Sequence, residues 1–107
     1  MERRKLARDA VIFRKGDRAE ALYFLSRGRV LFKEIGVTIA PGAIFGEIAL
    51  FLDDRGRTAS AVCLDACEVH ALSIDKVQEL AVLDPAFGLF LTKLIALRMK
   101  QNADATP

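Results

Sequence analysis

The sequence has few of the residues on which small extracellular and metal-binding domains depend. Among its 107 residues there are two cysteines, one histidine and no tryptophan. Cys63 and Cys67 lie too close in the sequence to indicate a disulfide framework, and free thiols are typical of a reducing, intracellular setting. Because His70 is the only histidine, a metal site with several imidazole ligands is excluded, and two thiols are too few for an iron–sulfur regulator.

Long hydrophobic runs and a strong charge of one sign are also missing. The apolar runs are interrupted by Glu47 or Lys93, well short of the roughly 20 residues that span a bilayer. The charged N-terminus does not have the form of a signal peptide. A net charge of +2 is too weak to indicate direct nucleic acid binding, which calls for a clustered basic stripe. We therefore expect a cytoplasmic protein, or the cytoplasmic module of a membrane protein.

The length predicts a single domain over residues 1–107 with a substantial core, since 52% of the residues are hydrophobic. Residues 1–9 include Arg3, Arg4, Lys5 and Arg8. This basic segment is interpreted as a solvated terminus, or alternatively as the junction to an upstream partner or a contact with an anionic membrane surface.

Residues 10–74 alternate short apolar, β-branched stretches with turns that contain glycine, proline or aspartate. Strands are predicted at 11–13, 22–25, 29–35, 37–39, 58–64 and 67–74. Such closely spaced strands are typical of a closed or nearly closed antiparallel roll.

The hydrophobic period changes to that of helices over residues 75–102. Ser73 is predicted to cap a first helix, and Asp84 with Pro85 to begin a second one that runs to about Asn102, leaving 103–107 as a tail. The second helix is apolar over more than one narrow stripe. It therefore needs a second surface besides the roll: its own core, a ligand, a neighbouring domain, or a second subunit in a homodimer.

The stretch 45–60 combines a glycine, a carboxylate and an arginine in an otherwise apolar setting. Gly46 permits backbone geometry that a side chain would obstruct, and the residues after Glu47 can form a helical turn with free N–H groups. Such turns bind anions, and Arg57 supplies a planar fork of donors suited to phosphate. Glu47 is a pure acceptor suited to a sugar hydroxyl. A phosphate and a hydroxyl in one ligand indicate a nucleotide.

These residues together resemble the cyclic nucleotide-binding domain family over nearly the whole chain. The resemblance rests on Gly16-Asp17, Tyr23, Gly28, Val30, Pro41-Gly42, Phe45-Gly46-Glu47-Ile48-Ala49-Leu50 and Arg57-Thr58-Ala59. It implies a mainly β fold: an antiparallel, jelly-roll-like β-roll of about eight strands with C-terminal α-helices that form a lid. Residues 45–60 would be its phosphate-binding cassette.

The same resemblance implies roles for individual residues. Glu47 would accept a hydrogen bond from the ribose 2′-hydroxyl, Arg57 would pair with the cyclic phosphate, and Arg98 matches a lid arginine of channel members. The other implied ligand-binding residues belong to the cassette: Phe45, Gly46, Ile48, Ala49, Thr58 and Ala59.

The ligand expected from the resemblance is cyclic AMP, with cyclic GMP accepted as well because the Thr58 hydroxyl can reach a guanine amino group. No cofactor and no metal are expected. Two departures bear on the cassette: Gly56 replaces a common proline, and the segment before Arg57 is one residue longer than usual. These departures leave open whether Arg57 is held firmly or loosely.

The predicted function is that of a regulatory sensor and not of an enzyme. Binding would be transmitted by movement of the last helix to an effector joined upstream or in trans, such as a channel, transporter, cyclase or kinase. The alternative is a β-roll that has lost its ligand and serves as a protein-interaction module. Catalysis by Asp53 and Asp54 with Glu47, and a haem sensor using His70 or a cysteine, are minor alternatives, because adjacent aspartates usually lie on a solvated turn and His70 lies in an alternating strand.

Overall fold

Two four-stranded antiparallel sheets and two helices make up the computed structural model, which describes residues 2–105. The first sheet has the order β1-β8-β3-β6 and the second the order β2-β7-β4-β5. The strands are β1 Glu2–Leu6, β2 Val11–Phe13, β3 Ala21–Arg27, β4 Val30–Phe32, β5 Val37–Ile39, β6 Ile44–Phe45, β7 Ala61–Cys63 and β8 Cys67–Ser73, and the helices are α1 Ile74–Leu83 and α2 Pro85–Ala105. The eight-stranded roll with C-terminal helices confirms the predicted fold class.

The main core lies between the two sheets and follows from the alternation of side chains along each strand. Tyr23 and Leu25 of β3, and Val69 of β8, all point inward and are buried. Phe45 of β6 is fully buried and stacks on Tyr23 with ring centroids 5.3 Å apart. The two cysteines are free and belong to this core, and burial raises the pKa of the Cys63 thiol to about 12. These thiols have a packing role.

The N-terminal segment differs from its prediction. The sequence predicts a solvated terminus over residues 1–9 and a roll that begins at residue 10, but Glu2–Leu6 forms an edge strand paired with β8. The backbone of this segment pairs with β8, but its charged side chains remain exposed. Because exposed charged side chains are also typical of a solvated tail, the sequence alone led to the wrong prediction. Charged side chains are common on edge strands, where they prevent further pairing. Met1 lies outside the described residues.

Both predicted helix starts are confirmed. The Ser73 hydroxyl accepts a hydrogen bond from the Lys76 backbone N–H at 3.2 Å, and the Asp84 carboxylate accepts one from the Ala86 N–H at 3.1 Å. The second helix continues to Ala105, so 103–105 are helical and not part of a tail. No glycine or proline occurs between residues 89 and 105 to end it; 106–107 lie outside the described residues.

A second apolar cluster fastens the helices to the roll. Leu22 and Leu72 point to the opposite face of the first sheet from the main core and pack with Val77 of α1 and Leu91 of α2. Ala49 and Leu50 join the same cluster from a 3₁₀ turn at Ile48–Phe51. The cassette, the sheet and the start of α2 therefore share one packed cluster.

No helix within residues 2–105 is long and apolar enough to cross a membrane.

Two predicted strands are shorter than expected. The strand predicted at 29–35 is limited to Val30–Phe32, because residues 33–36 form a turn in which Gly36 has a φ of 66°. The strand predicted at 58–64 is limited to Ala61–Cys63, because residues 58–60 lie in the loop that forms the site described next.

Candidate ligand-binding site

A cavity of about 380 Å³ opens between the cassette and the β4–β5 hairpin, within the size range of small-molecule sites. We call it the cassette cavity. Its cassette side consists of Gly46, Glu47, Ile48, Ala49, Arg57, Thr58 and Ala59. Its apolar side consists of Phe13, Phe32, Ile35, Val37 and Ile39, and α2 contributes Arg98.

All of the predicted site residues except Phe45 line this cavity. Phe45 is fully buried among aromatic rings of the main core, with its ring centroid 6.0 Å from that of Phe32 and 6.2 Å from that of Phe13. The ligand contact predicted for Phe45 is thus replaced by a packing role. Strand alternation explains this, because Phe45 lies in β6 directly opposite Tyr23, before the chain leaves the sheet at Gly46.

Gly46 is required by both backbone conformation and space. Its φ is 78°, in the region that side chains disfavour, and a Cβ atom there would lie 2.8 Å from Nη1 of Arg57. The absent side chain allows Arg57 Nη1 to donate a hydrogen bond to the Gly46 carbonyl at 2.6 Å. The glycine and the arginine of the motif therefore form one structural unit.

Arg57 is buried, with 4% of its surface exposed. Its Nη2 donates to the carbonyl of Ala21 in β3 at 2.6 Å, and its guanidinium lies over the Phe13 ring at 4.0 Å from the centroid. Burial lowers the pKa of Arg57, yet an arginine remains charged at physiological pH. These two hydrogen bonds use two of its five N–H groups, which leaves donors for an anion in the cavity.

Glu47 is 1% exposed and is held by the last helix. Arg98 of α2 donates from Nη1 to Glu47 Oε1 at 3.2 Å and from Nη2 to the Ile44 carbonyl at 2.8 Å. Burial raises the pKa of the Glu47 carboxyl, and the positive charges of Arg98 and Arg57 oppose this shift. A buried acceptor, a buried cation and a cationic helix residue thus meet at one cavity.

The turn after Glu47 has the geometry predicted for anion binding. Glu47 precedes the 3₁₀ turn Ile48–Phe51 in a helical backbone conformation, and no side chain caps this turn. The first N–H groups of such a turn lack intrahelical partners. Since Ile48 and Ala49 line the cavity, their backbone N–H groups are available to a negatively charged ligand.

The longer segment before Arg57 is held firmly. The backbone N–H of Arg57 donates to the Asp17 carbonyl and its carbonyl accepts from the Gly16 N–H, both at 2.8 Å. Gly56 donates its N–H to the Asp54 carboxylate at 2.9 Å, and the Ala19 N–H donates to the Arg55 carbonyl at 2.7 Å. The segment therefore pairs with the loop of residues 16–19, and the backbone of Arg57 is fixed on both sides.

The cassette is also fixed at its end. Glu34, in the turn between β4 and β5, accepts hydrogen bonds from the Ser60 backbone N–H at 2.6 Å and from the Ser60 hydroxyl at 2.8 Å. The Ser60 hydroxyl in turn accepts from the Lys15 N–H at 3.0 Å. These contacts tie the hairpin that forms the apolar side of the cavity to the cassette.

Sequence reasoning missed the apolar side of the cavity. Ile35 and Val37, on either side of Gly36, remain 52% and 42% exposed and line the cavity with Phe32 as one apolar surface. An exposed apolar surface of this kind indicates a ligand-binding wall. It can be recognised only once the fold has placed the hairpin beside the cassette. Among the described side chains of α2, Arg98 lines the cavity and the apolar lid residues do not.

The described residues contain no group of three or more histidine, cysteine, aspartate or glutamate side chains that could hold a metal ion. The site instead offers a fixed cation, free backbone donors and a deep carboxylate acceptor beside an apolar wall. This arrangement suits recognition of an anionic ligand with a hydroxyl group and a flat apolar part.

Comparison with known proteins gives the family of this chain. The model of the cyclic nucleotide-binding domain family matches residues 3–83, and the chain belongs to that family. It is 33% identical to the cyclic AMP receptor protein of Thermus thermophilus, over 94% of this chain and 50% of that protein. It is 28% identical to the cAMP-activated global transcriptional regulator CRP of Pasteurella multocida, over 88% of this chain and 49% of that protein.

A solved structure shows the same fold. The crystal structure of the Thermus thermophilus catabolite activator protein has a TM-score of 0.82 at 31% identity, and the match covers 95% of this chain and 51% of that one. The chain thus spans about half the length of the curated relatives it matches. The resemblance found in the sequence is confirmed, since the chain is a member of the cyclic nucleotide-binding domain family.

Proposed function

We propose that the cassette cavity binds a cyclic nucleotide, with cyclic AMP preferred and cyclic GMP accepted, and that binding is transmitted through α2. The observation that carries this proposal is the meeting of buried Glu47 and buried Arg57 at a single cavity. The ligand's permanent negative charge needs a permanent cation, which Arg57 provides at any physiological pH.

The chemistry of the cavity orients the ligand. The cyclic phosphate would meet the free donors of Arg57, the backbone N–H groups of Ile48 and Ala49, and the Thr58 hydroxyl. The ribose 2′-hydroxyl would donate to Glu47, and the base would lie against the apolar side between the hairpin and Arg98. In this arrangement the phosphate oxygens and the ribose 2′-hydroxyl each have a partner of the complementary type.

The preference for cyclic AMP rests on the ligand named for the Thermus thermophilus receptor protein. Thr58 lines the cavity and is exposed, so its hydroxyl can also accept from the amino group of a guanine. Both nucleotides are therefore expected to bind, with the discrimination between them decided at Thr58.

An interaction module without a ligand is the alternative, and a specific observation favours it. Glu47 is paired with Arg98, and Arg57 with two backbone carbonyls, so neither charge requires a ligand to be tolerated in the interior. Retention of the two residues alone therefore does not decide between a sensor and a domain that kept them for folding.

Calorimetric titration with cyclic AMP and cyclic GMP separates these two functions. Adenosine 5′-monophosphate is the matched control, because it has the same base and ribose but a dianionic, open phosphate. We expect saturable binding of both cyclic nucleotides and much weaker binding of the control. Absence of heat with either cyclic nucleotide, in a protein shown to be folded, would identify the interaction module.

The partners are proposed on the same basis. An effector joined upstream or in trans, such as a channel, transporter, cyclase or kinase, would receive the movement of α2, and a homodimer through α2 would use its exposed apolar side chains. The absence of enzymatic activity, of direct nucleic acid contact and of a resident cofactor, and a cytoplasmic location, remain predictions.

A further inference from the structure

A second cavity borders Arg57 and is lined mostly by residues outside the cassette cavity. It has a volume of about 590 Å³ and lies between β1, β3, the end of β8 and the start of α1. We call it the back cavity. It shares Arg57 and Phe13 with the cassette cavity, whereas its remaining lining, including Arg4, Tyr23 and Lys76, belongs to it alone.

The back cavity contains two buried polar side chains, Arg57 and Tyr23. Arg57 is 4% exposed and Tyr23 is 7% exposed. The Arg57 guanidinium donates to the Gly46 carbonyl through Nη1 and to the Ala21 carbonyl through Nη2, which uses two of its five N–H groups. The Tyr23 hydroxyl lies near both Arg57 and Arg4, since hydrogen bonding to Tyr23 acts on the pKa of each guanidinium. Tyr23 lines the back cavity together with both of these arginines.

The rim carries charges of both signs. Arg4, whose guanidinium carbon lies 5.9 Å from the centroid of the Tyr23 ring, is joined by Arg18 and Lys76. The carboxylates on the rim are Glu2, Asp17 and Glu20.

Two of these carboxylates are already engaged. Glu2 accepts from Arg4 Nε, and Asp17 accepts from the Arg14 backbone N–H at 2.9 Å. Both side chains are exposed, although the charge of Asp17 still acts on Arg57 and partly opposes the lowering of its pKa by burial. The deepest charge in the cavity is the buried Arg57 cation, whose field is screened less by solvent than that of the rim carboxylates.

We propose that the back cavity is a binding site for a small oxyanion of the phosphate class. The anion accepts hydrogen bonds from Arg57 and from the Tyr23 hydroxyl at the buried end and from Arg4 at the rim. A cation is not suited to this position, because its charge would lie beside the buried guanidinium while the carboxylates stay at the edge.

The site is tested with inorganic phosphate as the probe, in the whole chain and without any cyclic nucleotide. Backbone amide shifts of ¹⁵N-labelled protein are followed as phosphate replaces chloride at constant ionic strength. We expect saturable shifts at Ala21, Tyr23 and Ala71. Because no cyclic nucleotide is present, the result is independent of the proposed function.

Two variants and a control locate the anion. Tyr23→Phe removes the hydroxyl but keeps the ring, and should weaken phosphate binding about three- to tenfold. Arg4→Gln should weaken it about two- to fivefold, since its side chain is partly exposed. Thr58→Ala changes only the cassette cavity and should leave the affinity for phosphate unchanged.

Three results would overturn the proposal. Saturable shifts confined to Ile48, Ala49 and Thr58 would place phosphate in the cassette cavity instead. Shifts that rise linearly without saturation would show ionic screening only. Equal phosphate affinity in the wild type, Tyr23→Phe and Arg4→Gln would show that the back cavity does not hold the anion.

Discussion

Arg57 is a proposed ligand-binding residue that also links two parts of the structure. It connects the Gly46 carbonyl in the cassette to the Ala21 carbonyl in β3, so removing it leaves two buried acceptors without a donor. Arg57→Ala is expected to lower the free energy of unfolding by about 2–4 kcal/mol. It should also weaken cyclic nucleotide binding about ten- to a hundredfold or more.

Chemical denaturation without ligand and calorimetry with cyclic AMP measure the two effects of Arg57 separately. Thr58→Ala is the matched control, since this neighbouring exposed residue should change binding but alter stability by less than about 0.5 kcal/mol. Wild-type stability of Arg57→Ala would mean that its backbone hydrogen bonds contribute nothing to folding.

Glu47 is predicted to make stability depend on pH. Burial raises the pKa of its carboxyl above the unperturbed value of 4.5. At pH values between 4.5 and the raised pKa, the folded state therefore keeps a proton that the unfolded chain has released. Relative to Glu47→Gln, the wild type should therefore lose stability as the pH rises from about 4.5 through the raised pKa. Below 4.5 both states are protonated and the difference between the two proteins should be constant.

The comparison requires unfolding free energies of the wild type and Glu47→Gln at several pH values, so that contributions from other carboxylates cancel. A wild type that gains stability relative to the variant over this range would show that the ion pair with Arg98 outweighs the burial of Glu47.

At the scale of the elements, the segment before Arg57 includes one residue in an unfavourable backbone conformation. Arg55 has a φ of 52°, a left-handed conformation that costs a residue with a Cβ roughly 1 kcal/mol. Arg55→Gly should therefore raise the free energy of unfolding by up to about 0.5 kcal/mol, because the greater freedom of glycine in the unfolded chain offsets part of the gain. Arg55→Ala is the control and should give no such gain. Equal unfolding free energies for the two variants would indicate no strain at Arg55.

The second helix has a fixed part and a part that contacts the site. Leu91 is almost fully buried in the cluster with Val77 and Leu72, whereas Arg98 lies at the cavity mouth, seven residues further on. Ligand binding should therefore slow amide exchange mainly in residues 94–102, with a smaller effect in 86–91. Hydrogen exchange followed by mass spectrometry measures this. Equal exchange with and without cyclic AMP would indicate a binding module whose helix does not respond.

The sequence predicted the elements whose signals are local. Ser73, Asp84 and Pro85 defined the helix starts, and Gly46 with Glu47 and Arg57 defined the cassette, because capping and anion recognition depend on residue type at fixed spacing. The strand Glu2–Leu6 was missed because an edge strand with exposed charges depends on a partner far along the chain. The back cavity was missed for the same reason: Arg4, Tyr23 and Lys76 meet only after the sheet has formed.

At the scale of the whole molecule, the exposed apolar surface of α2 and of the end of α1 is the main feature not explained by the core. Leu89, Phe90 and Leu97 of α2 are at least half exposed, as are Val82 and Leu83 of α1. We expect a dimer in sedimentation equilibrium that the double substitution Phe90→Ser with Leu97→Ser shifts towards monomer. Val11→Ser, at an exposed apolar position in β2, is the control and should leave the dimer intact. A wild-type monomer at all concentrations would contradict this expectation.

The order of the strands has a consequence for how the protein is made. One of the two inner strands of each sheet, β8 in the first and β7 in the second, comes last in the roll, and β1 pairs with β8 while β2 pairs with β7. Until these strands leave the ribosome, the earlier residues can form only the β3–β6 and β4–β5 pairings. Because such distant pairings form slowly, we expect the nascent chain to stay unfolded until Ser73 has emerged, with its apolar strands available to chaperones during that time.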